Sequence, residues 1–81
     1  MSSAANRRLD LLGFLCPIPV HETRRALEQS EEGALLEVVC DDPETLHDIP
    51  ALCDRMRVKL EGVEENSGEY TFVISNVTED M

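Results

Sequence analysis

Prolines precede both segments of this chain that carry a helical pattern of apolar residues. Pro17 suits the first position of a helix, where its fixed φ fits and its missing N–H costs nothing, and we predict a helix over residues 17–30. Asp41-Asp42-Pro43 is typical of a turn that begins a second helical segment, which continues to Arg57. The two helix starts indicate that short helices alternate with other short segments along the chain.

The second helical segment contains an internal proline. Apolar residues recur there at three- and four-residue spacing, which favours one buried helical face: Leu46, Ile49, Leu52, Cys53 and Met56. Because Pro50 has no N–H and its ring collides with the preceding turn, we predict a short turn followed by the main helix. Asp48 is the predicted N-cap of that helix.

Four further segments have strand patterns, residues 8–12, 34–40, 58–64 and 70–77. The second is nearly all apolar and rich in valine, which favours a strand inside the sheet. Asn66-Ser67-Gly68 predicts a hairpin between the last two. The order strand, helix, strand, helix, strand, strand predicts a two-layer α/β (α+β) sandwich, βαβαββ, with a four-stranded mixed sheet and two helices on one face. We expect one domain over residues 8–78 after a flexible leader, residues 1–7.

Size and charge restrict the function. A chain of 81 residues has a thin core and little room for an enclosed substrate cavity, which favours a carrier or binding module over a self-contained enzyme. The net charge of −10 disfavours nucleic acid and anionic membranes as partners, because their phosphates would be repelled. The polar segment Met1–Arg8 lacks the apolar core of a signal peptide, so we expect a cytoplasmic protein with reduced thiols.

Cys16 is the candidate nucleophile. It heads the run Cys16-Pro17-Ile18-Pro19, where a helix N-terminus would lower its pKa and favour the thiolate. The alternative is a small buried apolar residue that happens to precede a proline. Free cysteines are often buried, so Cys40 and Cys53 are assigned to the core. Neither His21 nor His47 has a partner at metal-ligand spacing, and we predict no metal and no cofactor.

Several of these runs occur together in one known family. The segment Leu9–Val20 contains D-x-x-G, here Asp10 to Gly13, followed by C-P-x-P at Cys16. Asp41-Asp42-Pro43 follows, and then Asp48-Ile49-Pro50. With both motifs in this order, the chain resembles the TusA/SirA-like sulfurtransferases from about Leu9 to Ile74.

The resemblance implies a sulfur carrier in which Cys16 accepts a sulfane sulfur as a persulfide. The donor would be of the cysteine desulfurase or rhodanese type, and the persulfide would pass to an acceptor protein. Members that serve tRNA thiolation carry an acidic residue at the position of Ile18 and often a basic one at that of Leu15. The destination of the sulfur therefore stays open among tRNA thiolation, sulfur oxidation, and selenium or molybdenum-cofactor metabolism. Whether the carrier counts as an enzyme is also open.

The other residues are assigned to docking or to structure. Arg24 and Arg25 are candidates for a basic edge that guides an acidic partner or an anionic persulfide donor, and His21 is a further docking candidate; ordinary solvated helix charges are the alternative. The remaining motif residues are assigned to turns, caps and backbone shape: Asp10, Gly13, Pro17, Pro19, Asp42, Pro43, Asp48 and Pro50. A thiol-based regulatory or interaction module without sulfur relay is the alternative function, and a disulfide oxidoreductase is disfavoured because C-x-x-C is missing.

Overall fold

Four strands and two helices alternate in the predicted order in the computed structural model, which describes residues 7–78. The elements are β1 (Arg7–Asp10), α1 (Ile18–Gln29), β2 (Leu35–Cys40), α2 (Thr45–Met56), β3 (Lys59–Asn66) and β4 (Glu69–Ser75). The predicted leader lies outside the described residues except for Arg7, which begins β1 and pairs with Leu36. In the described part of the chain, neither helix has the length and apolar character needed to cross a membrane.

The sheet has the strand order β1-β2-β4-β3, which confirms the predicted four-stranded mixed sheet. β1 and β2 are parallel, whereas β4 runs antiparallel to both β2 and β3. Alternate side chains of β2 and β4 point to the face that both helices cover, and they have no solvent exposure: Leu36, Val38, Cys40, Phe72 and Ile74. The core is therefore a single layer between one sheet face and two helices, as the chain length requires.

The β3–β4 hairpin closes where the sequence predicts it. Ser67 and Gly68, the two turn residues, have φ values of +54° and +85°. Positive φ at both central positions is the backbone form that two-residue hairpins favour, since its twist matches the strands. Gly68 adopts it without steric cost, because it has no Cβ.

α1 buries one face against the sheet. Thr23, Ala26 and Leu27 are at most 2% exposed, and Val20 packs against the same core. The helix begins at Ile18, one residue later than predicted, because the Ile18 N–H donates to the Leu15 carbonyl (3.0 Å) and closes a turn ahead of the helix.

α2 corrects the prediction of a broken second helix. It runs without interruption from Thr45 to Met56 with Pro50 inside it, so Asp48 lies within the first turn and is not the N-cap. Asp42 supplies the start instead: its carbonyl accepts the Thr45 N–H (2.9 Å) and hydroxyl (2.6 Å), and its carboxylate accepts the Glu44 N–H (3.1 Å). Because the helix starts ahead of Pro50, the proline lies in its second turn, where it removes one backbone hydrogen bond without ending the helix.

The early start also changes which residue of the first turn is buried. Thr45 has no exposure, whereas Leu46, which the spacing assigned to the buried face, is 40% exposed. Ile49, Leu52 and Cys53 are buried as expected. Leu46 is thus left on the surface beside the start of α2.

A substitution at Pro50 tests the continuous helix. Pro50→Ala restores an N–H that can donate to the Leu46 carbonyl, so we expect the free energy of unfolding to rise by about 1–3 kcal/mol. Urea unfolding followed by far-UV circular dichroism measures it. A helix that started near Pro50 would gain nothing, because the first turn has no partner for that N–H; an unchanged or lower stability would contradict the continuous helix.

Candidate functional site

Cys16 lies in the loop of residues 11–17, which joins β1 to α1 at the carboxyl ends of the two parallel strands. The loop leaves the sheet through a hydrogen bond from the Leu11 N–H to the Val39 carbonyl (2.8 Å). It then turns at Gly13, whose φ of +87° is unfavourable for other residues. The carboxyl ends of strands are the usual place for sites in open α/β sheets.

Two adjacent carboxylates after β2 hold this loop. Both oxygens of Asp41 accept the Gly13 N–H at 3.1 Å, and Asp42 Oδ2 accepts the Cys16 N–H at 2.8 Å. Asp42 is buried, and its other oxygen caps the turn before α2. Asp10 shapes the beginning of the loop by accepting the Leu12 N–H (3.2 Å). The position of Cys16 is therefore fixed through its backbone by a residue 26 positions further along the chain.

The Cys16 thiol donates a hydrogen bond to Asp48 Oδ2, with 2.6 Å between sulfur and oxygen. This contact with Asp48 is the largest of the effects that raise the pKa of the thiol from 9.0 to about 11. Desolvation and the negative charges of Asp48, Glu44 and Asp42 act in the same direction. Cys16 in the free protein is accordingly a neutral thiol at physiological pH.

The predicted lowering of the Cys16 pKa is wrong, because the contact with Asp48 raises the pKa and the prolines leave few backbone donors to oppose it. A helix N-terminus stabilises a thiolate chiefly through its free N–H groups. Neither Pro17 nor Pro19 has one, and the Ile18 N–H already donates to Leu15. The start of α1 thus presents few donors to the sulfur, whereas the start of α2 presents carboxylates.

A shallow groove of about 240 Å³ opens beside the thiol between α1 and α2. Its lining consists of Cys16, Pro17, Val20, His21, Asp48, Ala51, Leu52 and Arg55. His21, a predicted docking residue, is among them. Arg55 was not predicted as a site residue, although it lies seven positions after Asp48 and so shares its face of α2. The groove is small and open, which suits contact with another protein's residue better than an enclosed substrate.

The predicted basic pair lies apart from this groove. Arg24 forms an ion pair with Glu28 (3.3 Å) on the exposed side of α1, and Arg25 is also exposed. Of the other motif residues, Pro19 is buried in the core, whereas Pro43 is exposed in the turn before α2. A docking role for Arg24 and Arg25 stays a prediction.

Cys40 and Cys53 are buried, as predicted, and all three cysteines are free. Burial raises the pKa of each of these two thiols to about 11, which keeps both neutral. Neither belongs to the groove lining, so Cys16 is the thiol that a partner can reach. Within residues 7–78, one group of three ligand atoms lies within 4.8 Å of one another, from Cys16, Glu44 and Asp48. The absence of a metal stays a prediction.

Four exposed apolar side chains lie within four residues of Cys16 along the chain. Leu15 is 69% exposed, Phe14 45% and Ile18 44%. Together with Leu12 these residues form what we call the apolar rim. Exposed large apolar residues concentrated around one reactive group are typical of a protein–protein contact.

A small α/β domain that carries one accessible thiol on a loop with an apolar rim has the features of a protein that works by contact with other proteins. A family model described as "Sulfurtransferase TusA" matches residues 7–76. A protein of Archaeoglobus fulgidus named "Putative sulfur carrier protein" is 36% identical over 74 residues, which cover 90% of this chain and 96% of that protein. The crystal structure of a SirA-like protein from Desulfitobacterium hafniense superimposes with a TM-score of 0.78 and 26% identity, covering 88% of this chain and 97% of the other.

The chain therefore belongs to the TusA sulfurtransferase family, as the resemblance of its motifs indicated. Membership supports a sulfur carrier role and, with it, contact with proteins that donate and accept sulfur.

Asp42 offers a test of how the loop is held. Asp42→Ala removes the acceptor of the Cys16 and Glu44 N–H groups, and we expect it to lower the free energy of unfolding by about 2–4 kcal/mol. Asp54→Ala, an exposed carboxylate on α2, is the matched control and is expected to change it by less than about 0.5 kcal/mol. Urea unfolding measures both, and equal stabilities would contradict the tie.

The pH dependence of Cys16 alkylation tests the contact with Asp48. Because the raised pKa delays formation of the thiolate, the rate with iodoacetamide should keep rising to about pH 11 instead of levelling near 9.0. Asp48→Asn removes the charged acceptor, so the midpoint should fall and the rate at pH 8 should rise about tenfold, after allowing for the weaker nucleophilicity of a less basic thiol. Peptide mass spectrometry assigns the label to Cys16. An unchanged profile in Asp48→Asn would contradict the role of this contact.

Proposed function

We propose that this protein is a cytoplasmic sulfur carrier that receives a sulfane sulfur on Cys16 and relays it to an acceptor protein. The observation that carries the proposal is the position of Cys16. It is the accessible thiol of a TusA-family domain, and it lies on a fixed loop beside an open groove. A donor of the cysteine desulfurase or rhodanese type would load it.

The transfer conserves atoms and electrons. Cys16 Sγ attacks the terminal sulfur of a donor persulfide, a new S–S bond forms on Cys16, and the donor's own S–S bond breaks. The electron pair of the broken bond stays on the donor's cysteine sulfur, which takes up the proton that Cys16 gives up. Cys16 is left as a persulfide, and an acceptor thiol repeats the exchange in the second step. No external oxidant or reductant is needed.

The surroundings of Cys16 support exchange between proteins. The groove and the apolar rim leave the sulfur within reach of a residue that another protein inserts, and α1 and α2 do not close over it. The other two thiols are buried, which keeps the sulfur from being lost to a neighbouring cysteine of the same chain. His21 lines the groove, where a docked partner would contact it. Arg24 and Arg25 lie further along the same helix.

Persulfide loading tests the proposal. After incubation with a cysteine desulfurase and cysteine, or with a rhodanese and thiosulfate, we expect the wild-type mass to increase by one sulfur atom, which dithiothreitol removes. Cys16→Ser should not gain the sulfur, whereas Cys53→Ala, in which only a buried thiol is lost, should gain it.

The acceptor step completes the test. Loaded wild type should lose its sulfur to an acceptor thiol protein, with the sulfur recovered on the acceptor. Absence of any transferable sulfur on Cys16 with both donors would overturn the carrier and favour an interaction module that binds partners without relaying sulfur.

A further inference from the structure

The side chains nearest the Cys16 thiol carry the wrong charge for a nucleophile that works unaided. Asp48 accepts the hydrogen bond from the thiol at 2.6 Å, and Glu44 places a carboxylate oxygen within 4.8 Å of both groups. Asp42 lies beneath them and binds the Cys16 backbone. We call Asp42, Glu44 and Asp48 the acidic collar. A negative charge that forms on the sulfur is repelled by each of them.

The positive groups of the groove do not offset the collar. His21 on α1 and Arg55 on α2 line the same groove, yet the pKa of Cys16 is raised, and the charges that act on it are those of the collar. The prolines of the C-P-I-P run remove the backbone donors that would otherwise stabilise a thiolate. Among residues 7–78, the groups that act on the Cys16 thiol therefore all raise its pKa.

We propose that the partners of Cys16 present lysine or arginine side chains against the acidic collar, and that this contact converts a dormant thiol into a nucleophile. This inference rests on the proposed function, because it names the charge of the surface that donors and acceptors bring. A cation beside Asp48 offsets the repulsion between its carboxylate and the thiolate. The cation also binds the carboxylate that accepts the hydrogen bond from the thiol, so that the thiol is released from it. The proton then passes to the donor's departing sulfur, as the transfer step requires.

The apolar rim and the net charge specify the same partner. Leu15 and Ile18 are exposed within two residues of Cys16 and supply an apolar contact beside the collar, so the complementary surface combines an apolar pocket with basic side chains. The net charge of −10 attracts such a surface from a distance and repels anionic small molecules. Cys16 is thus shielded from free polysulfide and thiosulfate and accessible to a basic protein. A basic partner surface is the opposite of the acidic partner that we predicted from Arg24 and Arg25.

Two thiol reagents of equal size and opposite charge test the collar without a partner. The trimethylammonium-ethyl and sulfonato-ethyl methanethiosulfonates both transfer their substituted ethylthio group to Cys16, which forms a mixed disulfide as methanesulfinate leaves. The rate of each reagent with Cys16 is divided by the rate of the same reagent with free 2-mercaptoethanol. After this normalisation, we expect the cationic reagent to react at least about tenfold faster than the anionic one. The preference should shrink as salt is raised, because the collar is partly exposed.

Variants assign the preference to the collar. Asp48→Asn and, independently, Glu44→Gln should each reduce it several-fold, whereas Asp54→Asn, of the same charge change on the same helix, should leave it unchanged. Glu44 is exposed and its replacement is expected to leave the fold intact, which circular dichroism checks. Equal normalised rates for both reagents in the wild type, or an equal loss in Asp54→Asn, would overturn the inference.

Loading measured on the same variants separates this inference from the proposed function. Loading by a desulfurase with no charge preference for the reagents would overturn the basic partner and leave the carrier intact. A clear cationic preference with no loading by any donor would support the basic partner surface and overturn the carrier role.

Discussion

The two carboxylates at the end of β2 organise the whole functional end of this molecule. Asp41 binds the loop that follows β1, and Asp42 binds the Cys16 backbone while it also starts α2. Since charge-assisted hydrogen bonds are roughly twice as strong as neutral ones, a four-residue β1 and a short loop can be held without a large core. Asp42 thereby joins the Cys16 loop to the first turn of α2. The thiol contacts Asp48 because hydrogen bonds to Asp42 position both segments.

This arrangement separates the position of the thiol from its reactivity. The backbone of Cys16 is fixed by the fold, whereas its protonation depends on charges at the surface that a second molecule can change. A carrier benefits from that separation, since a thiol that is reactive at all times would be oxidised or alkylated between encounters. In the proposed carrier, the fold supplies the geometry, and activation of the thiol is left to the protein that docks.

Much of the fold could be predicted because the signals are local. The apolar run of β2, the positive-φ hairpin at Ser67-Gly68 and the buried face of α1 each follow from a few neighbouring residues. The course of α2 could not, because the local rule for Pro50 competes with a cap from Asp42 that is visible only once the turn has formed. The candidate nucleophile followed from its motif. Its protonation did not, because the deciding contact joins Cys16 to a residue 32 positions away.

The sheet edge formed by β3 affects whether copies of this protein can aggregate. An exposed edge strand offers unpaired backbone groups on which another chain's strand can assemble. Along β3, Glu61, Glu64 and Glu65 are exposed, and a bulge between Leu60 and Gly62 interrupts its register. A second copy that approached edge to edge would meet the same carboxylates and the same irregular spacing. The exposed carboxylates of β3 therefore also protect this edge of the sheet against strand-by-strand aggregation.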